Sequence, residues 1–285
     1  MASPRPRGAS GRSLLLIFVL IAAVLVALYL YQANRHDVPP QSSGRPGTEA
    51  APPAPAGAQP ELPAPGSVQV LPHAGYTIGY RPDAGQAAWV AYALTAGEVN
   101  AVNVPRTNNF RPDPMLRGAQ PGDADYEGSG YDRGHLAPAE DLSWSAPTMS
   151  ESFFYSNMSP QAPAFNRGVW KRLEELVRFW ATAYDTVYIA TGPVLEDGLP
   201  AIGPHRVAVP RQYYKAVLRY GRSGVTAIGF LLRNEASRAT LKSFAVPVDE
   251  IERVTGIDLF QQLPDEIENR IEKEMRVGDW RWSRK

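Results

Sequence analysis

Apolar residues are distributed in three ways along this chain. Leu14 to Tyr31 is an uncharged apolar run, preceded by thirteen residues that hold Arg5, Arg7 and Arg12 and no acid. As a helix it would reach about 27 Å, close to the hydrocarbon thickness of a bilayer. The run is longer than a usual signal core, and Tyr29-Leu30-Tyr31-Gln32-Ala33 makes a poor cleavage site. The pattern therefore predicts a retained transmembrane signal-anchor over 14–31 rather than a cleaved signal peptide. The arginines of residues 1–13 would keep that end cytoplasmic. The rest would then lie across the membrane, in a periplasmic or other extracytoplasmic space, or in the mitochondrial intermembrane space. An acid-free, Arg- and Ser-containing start also fits part of a mitochondrial address. Residues 32–65 lack apolar periodicity, and Val38 to Pro65 holds nine prolines in 28 positions. This predicts a disordered linker.

From Gly66 to Lys285 the pattern becomes that of a folded domain. Tyr76–Tyr80, Ala87–Leu94, Thr186–Ala190, Tyr213–Tyr220 and Val225–Leu232 are rich in β-branched and aromatic residues and predict strands. Val169, Trp170, Leu173, Leu176, Val177 and Trp180 recur at i, i+3, i+4 spacing and predict a helix over Arg167–Tyr184. Shorter helices are expected at Pro247–Thr255 and Pro264–Met275. No internal repeat is present. The mixture indicates a single α+β domain over 66–285 with an antiparallel sheet core.

Charge narrows the chemistry. Lys plus Arg and Asp plus Glu are 29 each, so the chain is neutral. Affinity for phosphate must then come from a local cluster or a bound metal rather than from a basic coat. Cysteine is absent, which excludes disulfides, thiolate metal sites and cysteine nucleophiles.

The segment Tyr131-Asp132-Arg133-Gly134-His135-Leu136-Ala137-Pro138 follows a loop rich in Gly and Asp. Phosphodiester cleavage needs a base for water and a cation for the phosphate. His135 titrates near neutrality, and the guanidinium of Arg133 is a fork that matches phosphate oxygens. Gly134 would let the backbone turn so that both reach one site. A strand-end histidine beside a surface Asp–Arg pair is the competing reading of these residues alone. A second segment, Phe153 to Gln161, is followed by Asn166, which falls at the N-cap of the long helix. An ordinary asparagine there only caps a free amide. The two segments together predict a strand–loop–strand–helix unit.

At this point the sequence resembles the DNA/RNA non-specific endonucleases of the ββα-metal (His-Me finger) fold, which include endonuclease G-like and sugar-non-specific nucleases. The resemblance rests on Asp132-Arg133-Gly134-His135, Asn157 with Pro160-Gln161, and Asn166 with Trp170, Leu173 and Glu174. Trp89-Val90-Ala91-Tyr92 with Leu94-Thr95, Thr191-Gly192-Pro193, and Val209-Pro210 with Tyr214-Lys215 extend it over nearly all of the folded domain. It implies a hydrolase that cuts DNA and RNA with little sequence preference and leaves 5′-phosphates. His135 would be the general base and Asn166 the direct ligand of one Mg2+, with Mn2+ left open as an alternative. Glu174 resembles the acid that holds a water of that metal; an i,i+4 pair with Arg178 is its bland alternative. Arg178 resembles a phosphate-binding position, and Asn157 a residue that helps hold site and substrate. An upstream arginine also contacts substrate in relatives, and Arg106 and Arg111 are both candidates. Asp132 is expected to be a structural partner of Arg133 or of the backbone.

Two rivals come from other classes: an inactive, membrane-tethered module binding nucleic acid or protein, and a phosphodiesterase for small or lipid-linked substrates. Expected partners are DNA and RNA as substrates and the membrane through the N-terminal helix; a homodimer and an inhibitor protein stay open. His36, His73 and His205 read as solvated. The alternating tail Trp280-Arg281-Trp282 could stack on bases but reads more readily as a strand packed on the domain.

Overall fold

Side chains alternate sides along a strand, so a run that is apolar at every position must be covered on both faces. The computed structural model, which describes residues 59–221 and 224–283, meets that demand with helices on either side of one sheet. In chain order the strands are β1 (Gln69–Pro72), β2 (Thr77–Arg81), β3 (Gln86–Thr95), β4 (Asp132–His135), β5 (Met158–Gln161), β6 (Thr186–Pro193), β7 (Ala201–Ile202), β8 (Val207–Ala208), β9 (Gln212–Gly221), β10 (Gly224–Arg233) and β11 (Ala245–Val246). Seven of them form an antiparallel sheet in the order β1-β2-β3-β6-β9-β10-β11. The five predicted strands are all in it; the first is shifted by one residue, to Thr77–Arg81, and the others are extended at one or both ends.

Val90, Tyr92 and Leu94 of β3 face one core together with Ile189, Val217 and Phe230. Helix α1 (Lys171–Tyr184) closes this face with Leu173, Leu176, Val177 and Trp180, its apolar stripe. Each such fully buried large apolar side chain contributes about 1.5–3 kcal/mol relative to exposure. Trp89, Ala91, Ala216 and Leu218 face the opposite core, closed by α2 (Val248–Thr255), α3 (Asp265–Lys273) and the segment carrying Leu259 and Phe260 between them.

The predicted strand–loop–strand–helix unit is present on the first face. β4 pairs antiparallel with β5, and a π-helical turn, Phe165–Trp170, then leads into α1. That turn changes one expectation. Asn166 is not an N-cap; it lies inside the π turn, whose preceding residue is Ala164 and whose backbone departs from helical angles at Gly168 (φ −112, ψ −106).

Three further expectations change. Trp280 and Trp282 pack on Trp180, but the tail enters through a short 3-10 turn, Val277–Asp279, rather than as a strand. The end of the Pro-rich stretch is attached to the domain: Leu62 packs on the second core and the Ala64 amide donates to the Asp258 carbonyl (2.9 Å). The expected span over Leu14 to Tyr31 lies outside the described residues, as do residues 1–13 and His36. Among the described residues no helix is long and apolar enough to cross a membrane, so the single-pass membrane placement has no support in the fold.

Candidate active site

Strand geometry sets the first two functional groups side by side. In β4, Arg133 and His135 are two residues apart and therefore project from the same face, while Asp132 and Gly134 project from the other. Gly134 is extended rather than turned. A Cβ at that position would fall 2.2 Å from Gln161 Cδ, so the glycine is there to let the Gln161 side chain lie across the strand pair.

His135 is 9% exposed, walled edge-on by Phe153 (ring centroids 5.0 Å apart) and by Phe110 (6.1 Å). Its Nε2 is buried and has no hydrogen-bond partner. Burial, with the positive charges of Arg106 and Arg133 adding to it, lowers the imidazole pKa to about 3. Both effects favour the neutral ring. The loop that follows is pinned by Asn157, which is fully buried. Its Oδ1 accepts from the Ala137 amide (2.9 Å), and its Nδ2 donates to the carbonyls of Ala137 and Ser152 (2.9 Å each). Asn157 therefore acts by fixing the backbone beyond His135.

Asp132 is partnered not by Arg133 but by the π turn. Its Oδ2 accepts from Asn166 Nδ2 (2.9 Å) and Arg167 Nε (2.9 Å), and its Oδ1 from Arg167 Nη2 (2.6 Å). With its nitrogen committed in this way, Asn166 keeps Oδ1 as its available ligand atom. Arg133 is held instead by Asp123, which also accepts from the Tyr155 hydroxyl, and its guanidinium lies 4.0 Å from the Phe110 ring centroid. An open cavity of about 590 Å³ brings Arg133, Asn166, Asp132, Asp123 and Phe110 together.

A second charged group stands on α1 and the sheet. Arg178 does not pair with Glu174; its Nη1 donates to Asp141 Oδ1 (2.6 Å), whose Oδ2 accepts from the Tyr92 hydroxyl (2.8 Å). Asp141 is 2% exposed, so Arg178 is firmly anchored. Glu174 is half-buried. Burial raises its carboxyl pKa, while the Lys215 ammonium acts in the opposite direction. Lys215, 0% exposed on β9, sits 4.9 Å from the Trp170 ring centroid with no hydrogen-bond partner for Nζ. Burial lowers its pKa, and Glu174 opposes that shift.

The two upstream arginines separate. Arg106 lies over Phe153 (4.9 Å), bonds Glu140 (3.3 Å), and directs its charge at His135. Arg111 Nη1 donates to the carbonyls of Asn109 (3.1 Å) and Ser150 (2.8 Å), and its guanidinium lies over Phe154. Two histidines read as solvated are bonded to acids: His73 Nε2 to Asp113 Oδ2 (3.0 Å), with the ring buried, and His205 Nδ1 to Asp125 Oδ2 (2.9 Å).

Asp123, Tyr155 and Asp141 had no motif to announce them. Lys215 entered the resemblance only through Tyr214-Lys215 and was given no role at the site, although it is a cation inside a strand of apolar and aromatic residues.

Comparison with known proteins identifies the family. The model of the DNA/RNA non-specific endonuclease family matches residues 54–266. Human mitochondrial endonuclease G is 32% identical over 207 residues, 68% of this chain and 70% of that protein. The mitochondrial nuclease of Saccharomyces cerevisiae is 34% identical over 199 residues, 62% of this chain and 60% of that protein. A crystal structure of the EndoG/EndoGI complex superposes with a TM-score of 0.66 at 31% identity, covering 72% of this chain and 90% of that one. These mitochondrial names, with the absence of a membrane-crossing helix among the described residues, overturn the expected location as a single-pass membrane protein.

Proposed function

The chain belongs to the DNA/RNA non-specific endonuclease family and is a nuclease; from that premise we propose that His135 is its general base, that Asn166 holds one divalent ion, and that its products carry 5′-phosphates. One observation carries the reading. Arg133 and His135 share a strand face, and Asp132, at the start of the same strand, bonds Asn166 of the π turn beside the cavity that Arg133 lines.

Each side chain then has a task its surroundings suit. The imidazole, held neutral by its buried surroundings, takes a proton from the attacking water. Arg133 and Arg106 hold the phosphate. Its incoming negative charge offsets the field of the two guanidiniums, so the base strengthens when substrate is bound. Arg106 suits this task better than Arg111, whose donors are committed to backbone carbonyls.

Asn166 Oδ1 is an oxygen ligand of the kind Mg2+ prefers, with Mn2+ as a substitute. Such an ion would neutralise charge on the phosphate and help the leaving oxygen depart. Glu174, kept in charge balance by Lys215, orders water at the site. Arg178 is fixed by Asp141 and has donors left for a neighbouring backbone phosphate. Contacts of this kind grip the backbone, so cleavage is nearly sequence-blind and weakens as salt rises. An inhibitory protein partner belongs to the same reading, since the similar solved structure is of EndoG in an inhibitory complex.

A gel assay on plasmid and RNA with added Mg2+ tests the proposal. Wild type should cut both, excess EDTA should stop it, and His135→Ala should be silent while still melting cooperatively. Cutting by the folded variant at the wild-type rate would refute the base assignment.

A further inference from the structure

On the face of the sheet away from the active site, α2 and α3 bring three carboxylates together. One oxygen each of Asp249, Glu252 and Glu272 lies within 4.8 Å of the others. Asp249 and Glu252 are i,i+3 neighbours on α2 and therefore project together; Glu272 comes from the last turn of α3.

A cluster of acids on a surface needs no explanation, but Glu272 is not on the surface. It is 7% exposed, and its Oε1 is buried without a hydrogen-bond partner. A buried carboxylate of this kind is normally paired with a cation or fully hydrogen-bonded. The charges that act on Glu272 most are those of Glu252, Glu268, Asp249 and Asp258, carboxylates without exception. The nearest basic residue on α2, Arg253, is already paired with Glu250 through two bonds. Glu252 is itself held in place, its Oε1 accepting from the Leu259 amide (2.7 Å) in the connection between the helices. A preset ligand, a buried ligand with an unused oxygen and a third carboxylate therefore converge where the charges that act most on Glu272 are all negative.

We propose that Asp249, Glu252 and Glu272 form a structural divalent-cation site, of calcium type, that clamps α2 to α3. The donors are all oxygen, which favours hard cations over zinc or copper. Geometry favours the larger ion: Ca2+ accepts carboxylates in an irregular, flexible shell, whereas Mg2+ demands a near-ideal octahedron and gives up water reluctantly. The site is separate from Asn166, and its effect is on stability rather than on cleavage.

The test uses the full chain carrying Asn166→Ala, which silences the proposed catalytic ion, after removal of metals with EDTA. Titration with Ca2+ should raise the melting temperature by roughly 5–10 °C at a hundredfold excess over the dissociation constant. Equilibrium dialysis with 45Ca should find one ion per chain. Adding Glu272→Gln should abolish both effects; Glu252→Gln provides a second variant should the first not fold. Mg2+ at the same concentrations should give a smaller rise. The proposal is overturned if Ca2+ leaves the melting temperature of the Asn166→Ala protein unchanged, or raises it equally in the Glu272→Gln and Glu252→Gln chains.

Discussion

Two groups of carboxylates sit on opposite faces of the same sheet, and they are built on opposite principles. On the active face, Asp141 and Glu174 are interleaved with Arg178 and Lys215, so each buried acid has a cation beside it. On the other face, Asp249, Glu252 and Glu272 meet with no cation among their main electrostatic neighbours. A balanced network tolerates burial because attraction offsets much of the desolvation cost, and removing one member leaves the other uncompensated. An unbalanced one repels itself, and removing a member relieves it. Balance marks a site whose geometry the protein fixes by itself; imbalance marks one whose geometry depends on something added.

The largest effect expected on the active face comes from the base. His135→Ala should lower the cleavage rate on both DNA and RNA by about 10²–10⁴-fold, the usual range for removal of an acid–base group. The variant should still melt cooperatively, with a modest fall in melting temperature from the space left beside Phe153 and Phe110. A large fall in stability with little loss of rate would make His135 a packing residue. Next is Asp132→Ala, which frees the Asn166 carboxamide to rotate. A lost partner of a ligand typically costs about 10–100-fold in metal affinity. The Mg2+ concentration for half-maximal cleavage should rise by that factor, with much of the rate restored at high Mg2+. An unchanged Mg2+ requirement would separate Asp132 from the metal.

A sharper contrast comes from making the same change, carboxylate to carboxamide, on each face. Asp141→Asn strips Arg178 of its buried partner and should cost about 3 kcal/mol, a fall of roughly 6–12 °C in melting temperature. Glu272→Gln in metal-free protein should leave the melting temperature level or raise it. Falls of equal size in both variants would erase the distinction between the two groups.

Much of this was legible in the sequence, for identifiable reasons. β9 and β10 were found because their β-branched and aromatic runs pack on both faces. The strand face of Arg133 and His135 was found because Asp132-Arg133-Gly134-His135 is a contiguous motif. The π turn was not, since one inserted residue near Gly168 hardly disturbs the spacing of Val169, Trp170 and Leu173. The His73–Asp113 pair joins residues 40 apart, and neither end carries a local sign of burial. The acidic cluster was hidden for the same reason: each helix alone reads as an ordinary solvated face, and only their packing brings the acids together.

The smallest effect is the most specific. The imidazole of His135 is pushed below its ordinary 6.5 to about 3 by burial first, and then by Arg106 and Arg133. Between those pH values the unfolded chain binds a proton there that the folded chain refuses. Stability from this residue is therefore present above about pH 6.5 and falls as the pH drops towards 3. The acid limb of kcat/KM, which reports the free enzyme, should lie well below 6.5. The limb of kcat should lie above it, because bound phosphate opposes the two guanidiniums. Arg106→Ala removes one of those charges and should move the kcat/KM limb upward by a fraction of a pH unit, while burial holds it short of the ordinary value. Arg111→Ala should leave the limb in place, its charge being absent from those that act on His135. Equal shifts in the two variants would mean that Arg106 holds no privileged position beside the base, and the choice between the two arginines would have to be made again on substrate contacts alone.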